Sequence, residues 1–214
     1  MNSELPCPLC GGPDAADFWL DSMRVYLRCR CCALVFVPPA YFLSAEREKA
    51  EYDLHQNEPG DPGYRRFLGR LAEPLLARLP AGASGLDFGC GPGPALAAML
   101  REAGCRVALY DVFYQAERAA LGREYDFICA TEVVEHLHAP GEVLTGLWKQ
   151  LLPGGYLGIM TKLVRDQEAF ASWHYKNDPT HVCFFSESTW RWWAGVTGAE
   201  LELLGADVIL LRKP

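Results

Sequence analysis

The chain has 214 residues, half of them hydrophobic, and a formal charge of −7 at pH 7. That length holds one α/β domain and a small appendage. The acidic balance argues against a protein that grips a phosphate backbone, since such proteins present a basic face, and no apolar run is long enough to span a bilayer. The first residues have neither a basic start nor an apolar run, so no secretory signal and a cytoplasmic chain are expected. Nine cysteines are many for a reducing compartment. Clustered cysteines there bind metal more often than they form disulfides.

Residues 1–37 read as one unit. Cys7-Pro8-Leu9-Cys10 is followed by Cys29-Arg30-Cys31-Cys32. Taking Cys29 and Cys32 as the second pair gives two C-x2-C knuckles at zinc-ribbon spacing. Four thiolates, Cys7, Cys10, Cys29 and Cys32, would then surround one zinc ion, with Cys31 an alternative to either member of the second pair. A unit under about 40 residues seldom folds without a metal or crosslink, and zinc can supply roughly 10–16 kcal/mol. Arg24, Arg28 and Arg30 face Glu4, Asp14, Asp17 and Asp21 in this stretch, a balance poor for docking RNA.

Residues 38–80 form a helical linker. A charged helix is expected over 41–57, where Tyr52 and His55 share a face. Phe67, Leu68, Leu71, Leu75 and Leu79 recur at helical spacing in a second helix. Residues 81–214 alternate strands (85–88, 106–110, 125–130, 155–161) with helices (94–103, 142–152), the pattern of a doubly wound, mostly parallel sheet. Two apolar runs near the end, 200–204 and 207–211, lie too close together for anything but an antiparallel hairpin.

Gly89-Cys90-Gly91-Pro92-Gly93 sits between a strand and a helix. Glycines there let the backbone approach a ligand, and the helix start aims free N–H groups at it. The spacing is G-x-G-x-G, not the G-x-G-x-x-G of a dinucleotide site. Asp111 ends the next strand, where a carboxylate can accept both hydroxyls of a ribose.

Leu86-Asp87-Phe88-Gly89-Cys90-Gly91-Pro92-Gly93 resembles the first motif of class I S-adenosylmethionine-dependent methyltransferases. Ala130-Thr131-Glu132-Val133-Val134-Glu135-His136-Leu137 resembles the segment after the fourth strand in the branch containing quinone-biosynthesis O-methyltransferases. Leu152-Pro153-Gly154-Gly155-Tyr156-Leu157 resembles the turn into that family's fifth strand, and the terminal hairpin its reversed last strand. The resemblance spans residues 64–214. It implies a Rossmann-like sheet of six or seven strands with an antiparallel last strand, because only thirteen residues (112–124) stand where the family fits a further strand and helix.

The resemblance also implies roles. Gly89, Gly91 and Gly93, with Cys90 between, would make room for S-adenosylmethionine. Asp87 would order the loop, Asp111 bind the ribose, and Val112 and Phe113 cover the adenine. Glu132 and Val133 would line the methionine side. His136 stands where that branch has a histidine near the acceptor.

Residues 173–186 concentrate aromatic and histidine side chains in one irregular segment, which suits an acceptor pocket. His181 is the first candidate for a catalytic base, with Tyr175 next and Trp173 on the substrate side. Tyr52 and His55 are lid candidates. His138 reads as loop surface, and Trp190, Trp192 and Trp193 as core. The expected activity is methyl transfer to the oxygen or carbon of a small or medium-sized metabolite. RNA base methylation with the ribbon as docking module, and a non-catalytic interaction protein, are the alternatives. Oligomeric state leaves no trace in the sequence.

Overall fold

The computed structural model describes residues 5–54 and 58–214. His55 lies outside the described residues. The N-terminal unit contributes strands β1 (Ala15–Leu20), β2 (Val25–Cys29) and β3 (Val35–Phe36). They pair antiparallel, and β3 pairs in turn with β8 (Cys183–Phe184), far along the chain. The cysteine-rich unit therefore shares a four-stranded sheet, ordered β1-β2-β3-β8, with the rest of the molecule.

Two helices follow. α1 (Ala45–Tyr52) is shorter than expected and begins at Ser44, whose hydroxyl accepts from the Arg47 N–H. α2 (Pro62–Leu76) buries Leu68, Leu71, Ala72 and Leu75 along one face, the stripe its spacing requires.

The large sheet is built from β4 (Ser84–Phe88), β5 (Arg106–Tyr110), β6 (Tyr125–Thr131), β7 (Leu151–Met160), β9 (Glu200–Leu204) and β10 (Val208–Arg212). Its order is β5-β4-β6-β7-β10-β9. The first four run parallel; β10 is antiparallel to both β7 and β9. The sheet thus has six strands, and β5 is its edge. Residues after Asp111 make a tight turn bridged to Gln115 and one short 3₁₀ turn at Arg118–Gly122, rather than a further strand. β7 begins four residues earlier than expected.

The central strand β6 carries Phe127, Ile128, Cys129 and Ala130, all fully buried. A continuous apolar run of this kind is what a strand covered on both faces demands. α2 and α3 (Ala95–Glu102) cover one face. α4 (Pro140–Gln150) and α6 (Glu187–Thr197) share the other core with the N-terminal unit. Ser186 and Thr189 form a capping box at the start of α6, and Gly198 ends it in the left-handed conformation. Trp190 and Trp193 are core, whereas Trp192 is only partly buried.

The N-terminal unit docks closely on the large sheet's layer. The Gly141 N–H, at the start of α4, donates to the Pro8 carbonyl, and a Cβ at Gly141 would lie 2.2 Å from the Leu9 carbonyl oxygen. No helix among the described residues is long and apolar enough to cross a membrane.

Candidate functional site

Strand order reverses between β4 and β6, because the chain leaves β4 for β5 on one side and returns to β6 on the other. A crevice opens at the carboxyl ends of such strands. Here it is a cavity of about 1050 Å³. Gly89, Cys90, Gly91, Asp111, Val112, Glu132, Val133, His136 and His181 all reach its wall; so do Asp87 and Tyr52. Gly93 does not, nor do Trp173 and Tyr175.

The glycine loop is shaped by close approach. Gly89 has φ +74°, and a Cβ there would lie 2.4 Å from Val133 Cγ2. Gly91 has φ +62° and open space where a Cβ would point. The Gly89 N–H donates to the Tyr110 carbonyl at 2.7 Å, tying the loop to the end of β5. Asp111 stiffens the neighbouring turn: one carboxylate oxygen accepts from Gly91 N–H at 2.9 Å, the other from Phe113 and Tyr114 N–H. Oδ1 is thereby filled, and Oδ2 retains one lone pair for a further donor. Asp87 is buried, and burial pushes its carboxyl up to about 7.

The cavity's charge is one-sided. Glu48, Asp87, Asp111, Glu132 and Asp178 line it, and no lysine or arginine does. Glu132 is held at φ +52°, a left-handed conformation that costs a non-glycine residue of order 1–2 kcal/mol. Its Oε1 is buried without a partner. Such an oxygen suits a cation or donor supplied by a ligand. Burial raises the Glu132 carboxyl to about 7 in spite of the nearby Lys162 ammonium. Glu135 is fully buried; burial and then the Glu132 charge raise it to about 8. The Tyr175 hydroxyl donates to Glu135 Oε1 and lies 3.4 Å from Glu132 Oε2. Tyr175 is therefore a clamp behind the wall, with its own pKa pushed up by burial and the two carboxylates.

The two histidines meet beside this cluster, ring centroids 4.6 Å apart. His181 Nδ1 is 2.7 Å from the Tyr175 carbonyl. A carbonyl only accepts, so the proton sits on Nδ1 and Nε2 presents a lone pair. Burial depresses the His181 pKa, which keeps the ring neutral near pH 7. His136 Nδ1 lies 3.3 Å from the Thr180 carbonyl. Ligand-capable atoms of Glu135, His136 and His181 all fall within 4.8 Å of one another.

α1 crosses the mouth. Tyr52 packs edge-on against His136 and tilts against Phe113. Asp53, just past the helix, accepts from the Tyr114 hydroxyl at 2.6 Å on one side. Glu48 meets His138 Nε2 at 2.9 Å on the other. His138 is exposed loop surface, as expected, and from there it stacks on Phe42 at the cavity rim. Glu48, Asp53 and Tyr114 went unmarked in the sequence, where single polar residues in charged stretches carry no pattern.

Arg24 went unmarked for the same reason. It lies in the β1–β2 turn, yet it is buried. Its guanidinium donates to the carbonyls of Lys176, Asp178 and His181. Lys176 returns the grip through Asp21 at 2.7 Å. Burial opposes the Asp21 charge, but the Lys176 ammonium and the Arg24 and Met23 amides hold its carboxyl at about 2. The N-terminal unit thereby fixes the loop that carries His181.

In that unit Cys7, Cys10, Cys29 and Cys32 gather their sulfurs within 4.8 Å, and Cys31 is exposed. The Cys7–Cys32 and Cys10–Cys29 separations are each 3.5 Å. Thiolates around zinc at about 2.3 Å sit about 3.8 Å apart, so the donor set fits a tetrahedral zinc site. Gly11 and Ala33, each next after a knuckle, share the left-handed conformation.

The methyltransferase-domain family matches residues 62–204. No curated protein matches. Among solved structures, the fold is similar to a magnesium protoporphyrin IX methyltransferase from Synechocystis with bound S-adenosylhomocysteine (TM-score 0.55, 15% identity, 82% of this chain and 97% of that one). It is similar to a methyltransferase from Archaeoglobus fulgidus (TM-score 0.54, 15% identity, 70% and 94%). It is also similar to the 1,6-didemethyltoxoflavin N1-methyltransferase of Burkholderia thailandensis, solved with that compound and S-adenosylhomocysteine (TM-score 0.51, 18% identity, 93% and 99%).

Proposed function

The chain belongs to the methyltransferase-domain family and is an S-adenosylmethionine-dependent methyltransferase, and from that premise we propose that it methylates a small or medium-sized metabolite at oxygen or carbon by in-line displacement. The likeness of residues 130–137 to quinone-biosynthesis O-methyltransferases keeps oxygen among the acceptors. The observation that carries the reading is the cavity at the glycine loop, lined by five carboxylates and no lysine or arginine. It suits a ligand with a sulfonium and an ammonium at one end.

Bound S-adenosylmethionine supplies an already activated methyl group. The protein's part is placement, worth up to roughly 7–11 kcal/mol when acceptor and methyl are held in line. Gly89 and Gly91 leave room for the cofactor, with Cys90 on the loop wall; Gly93 lies outside the lining. Asp87 orders the loop, and the remaining lone pair of Asp111 Oδ2 takes a ribose hydroxyl. Val112 and Phe113 cover the base. Glu132 and Val133 hold the methionine side, where the unpartnered Glu132 Oε1 meets positive charge.

An acceptor hydroxyl or acidic carbon must lose a proton. His181 Nε2 is the base, with His136 as second candidate; a placed base contributes typically about 10²–10⁴-fold. Tyr175 holds Glu135 and the wall behind the reacting centre. Tyr52 on α1 closes the mouth as a lid. Zinc on Cys7, Cys10, Cys29 and Cys32 keeps the ribbon folded, and the ribbon, through Arg24, serves as cap and acceptor wall. Residues 1–37, 38–80 and 81–214 are the corresponding ribbon, lid and catalytic parts.

The test is transfer of labelled methyl from S-adenosylmethionine by zinc-loaded protein to a cell extract split into small-molecule and RNA fractions, with Asp111→Ala as control. Label in the small-molecule fraction, lost in the variant, is the expected result. Label confined to RNA would make the ribbon a nucleic-acid module. Failure to bind the cofactor at high micromolar concentration would return the chain to a non-catalytic interaction role.

A further inference from the structure

The His181 side chain is buried. A buried ring that takes up a proton becomes a buried cation, which is costly unless an anion stands beside it. The groups around this ring divide by sign. Arg24, from the β1–β2 turn, donates to the His181 carbonyl at 2.9 Å. Lys162 follows β7 and lines a second cavity, of about 910 Å³, where the cysteine-rich unit meets the large sheet. Its ammonium stands 5.1 Å from the centre of the Tyr175 ring. Both cations oppose a charge on His181. The other titratable neighbours are Tyr175, with its ring centroid 4.1 Å from that of His181, and His136, which Tyr52 of α1 meets in turn.

Three carboxylates belong to the same neighbourhood. Glu135 clusters with His181, and Glu132 reaches the Tyr175 hydroxyl. Burial raises these two to about 8 and about 7, so neither is a dependable anion near pH 7. Asp178 is different. It is half-buried and lines the first cavity with His181. Its Oδ1 accepts from the Thr180 N–H at 2.8 Å and from the Thr180 hydroxyl at 2.5 Å. Burial opposes its charge, but the Thr180 donors and the His181 and His136 rings hold its carboxyl below the usual range. Its second oxygen, Oδ2, lies 3.7 Å from His181 Nε2. The Nδ1 side of the ring is committed to the Tyr175 carbonyl, so the nitrogen that faces Asp178 is the one able to take a proton. Arg24 also donates to the Asp178 carbonyl at 2.9 Å, so one guanidinium fixes the backbone beneath both carboxylate and ring.

Resting on the methyltransferase reading above, we propose that Asp178 is a positioning residue for methyl transfer, its Oδ2 the counter-ion that lets the buried His181 take the acceptor's proton. The acceptor atom forms its bond to the methyl carbon with its own electron pair, and sulfur keeps the pair of the bond that breaks. The acceptor's proton passes to His181 Nε2. One positive charge is thus lost at sulfur and one appears on the imidazolium, beside an anion already in place. The ring then returns the proton to water. No further reactant is needed.

The test uses full-length, zinc-loaded protein, wild type and Asp178→Asn, whose amide oxygen can still accept from Thr180. Histidine rings labelled with nitrogen-15 are titrated by NMR, and His181→Gln assigns the resonance. The His181 pKa should fall by about one unit or more in Asp178→Asn, a change of about tenfold in proton affinity. Methyl transfer to the small-molecule fraction should fall about tenfold or more at saturating cofactor, with the acid limb of its pH profile displaced to lower pH. S-Adenosylhomocysteine affinity, by calorimetry, should not change. A His181 pKa that stays in place overturns the counter-ion, and so does a rate that falls with an unmoved pH profile, which marks a structural role. A moved pKa with undiminished methyl transfer separates the pair from the chemistry and also overturns it. Should Asp178→Asn not fold, the wild type decides: the carbon-13 shift of the Asp178 carboxyl should show an inflection at the His181 midpoint, and its absence overturns the pairing. S-Adenosylhomocysteine that does not bind the wild type removes the methyltransferase reading itself, and the catalytic use of the pair with it.

Discussion

The two cavities are nearly equal in size and opposite in electrostatics. The first has five carboxylates and no lysine or arginine; the second has five lysine or arginine residues and two acids. They also differ in how they are built. The first is made by backbone: a glycine loop, the ends of parallel strands, and amides held by Asp111. The second is made by side chains from five separate segments, one of them supplied by the cysteine-rich unit. A site whose floor is a glycine loop and strand ends depends less on distant parts than one built at a junction.

Removing the metal should separate them most sharply. Zinc bound by four thiolates contributes about 10–16 kcal/mol in small domains. Chelation is expected to unfold the ribbon, strip Phe18 and Arg28 from the second cavity and release the His181 loop. Methyl transfer should vanish while weak S-adenosylhomocysteine binding persists, read by calorimetry beside a zinc-release assay. Loss of both would show that the ribbon supports the whole sheet.

Gly89→Ala attacks the first cavity alone. The new methyl meets Val133 at 2.4 Å and must also adopt φ +74°. The left-handed penalty and the overpacking together come to about 2–5 kcal/mol. Denaturant melts should show that loss, and S-adenosylhomocysteine titration a fall in affinity.

Arg24→Met should cost on the order of 2–3 kcal/mol, because buried carbonyls of the 176–181 loop lose their donor. Turnover with the acceptor should drop well below wild type at saturating cofactor, with cofactor affinity nearly kept. If both fall together, the loop is not what Arg24 positions.

Asp111→Asn removes a charge that can bind a donor, and it also sets an amide NH2 against one of the turn's backbone donors, since both carboxylate oxygens accept N–H groups. Hydrogen bonds to charged groups are worth about 1.5–3 kcal/mol, or roughly 10- to 150-fold in cofactor affinity by S-adenosylhomocysteine titration.

The last comparison is the pH dependence of stability. Asp87 and Glu135 titrate near 7 and 8 in the folded protein, against 3.8 and 4.5 when unperturbed. Between those values the folded state holds protons that the unfolded chain has released, so stability falls as pH rises. As far as these groups decide it, stability should be highest below about pH 4 and decline towards pH 8. Glu135→Gln should flatten the decline in melts at successive pH values; Arg165→Glu should not. Methyl transfer by a neutral His181 should show its acid limb below pH 6.5, since burial lowers that pKa.

Much of the fold was legible along the chain. Alternating strands and helices, the short segment after Asp111 and the terminal hairpin all rest on local periodicity and length, and the sheet has six strands accordingly. The glycine loop was legible because close approach needs glycine. The four cysteines that converge are the spaced pairs, with Cys31 left outside. Pairing between β3 and β8 was not legible, since two-residue strands 147 or more positions apart leave no pattern. Tyr175 shows the same gap. Its place in an aromatic segment pointed to the acceptor, but its ring is turned inward to clamp Glu135.

The sequence by itself determined the class of fold, the cofactor loop and the candidate metal ligands, because each depends on residue types at fixed short spacing. The tertiary structure decided which charges share a space. Arg24, Glu48 and the cations of the second cavity are isolated in sequence, and what surrounds each arises from burial and distance between segments. Electrostatics acts through space, and only the folded chain sets those separations.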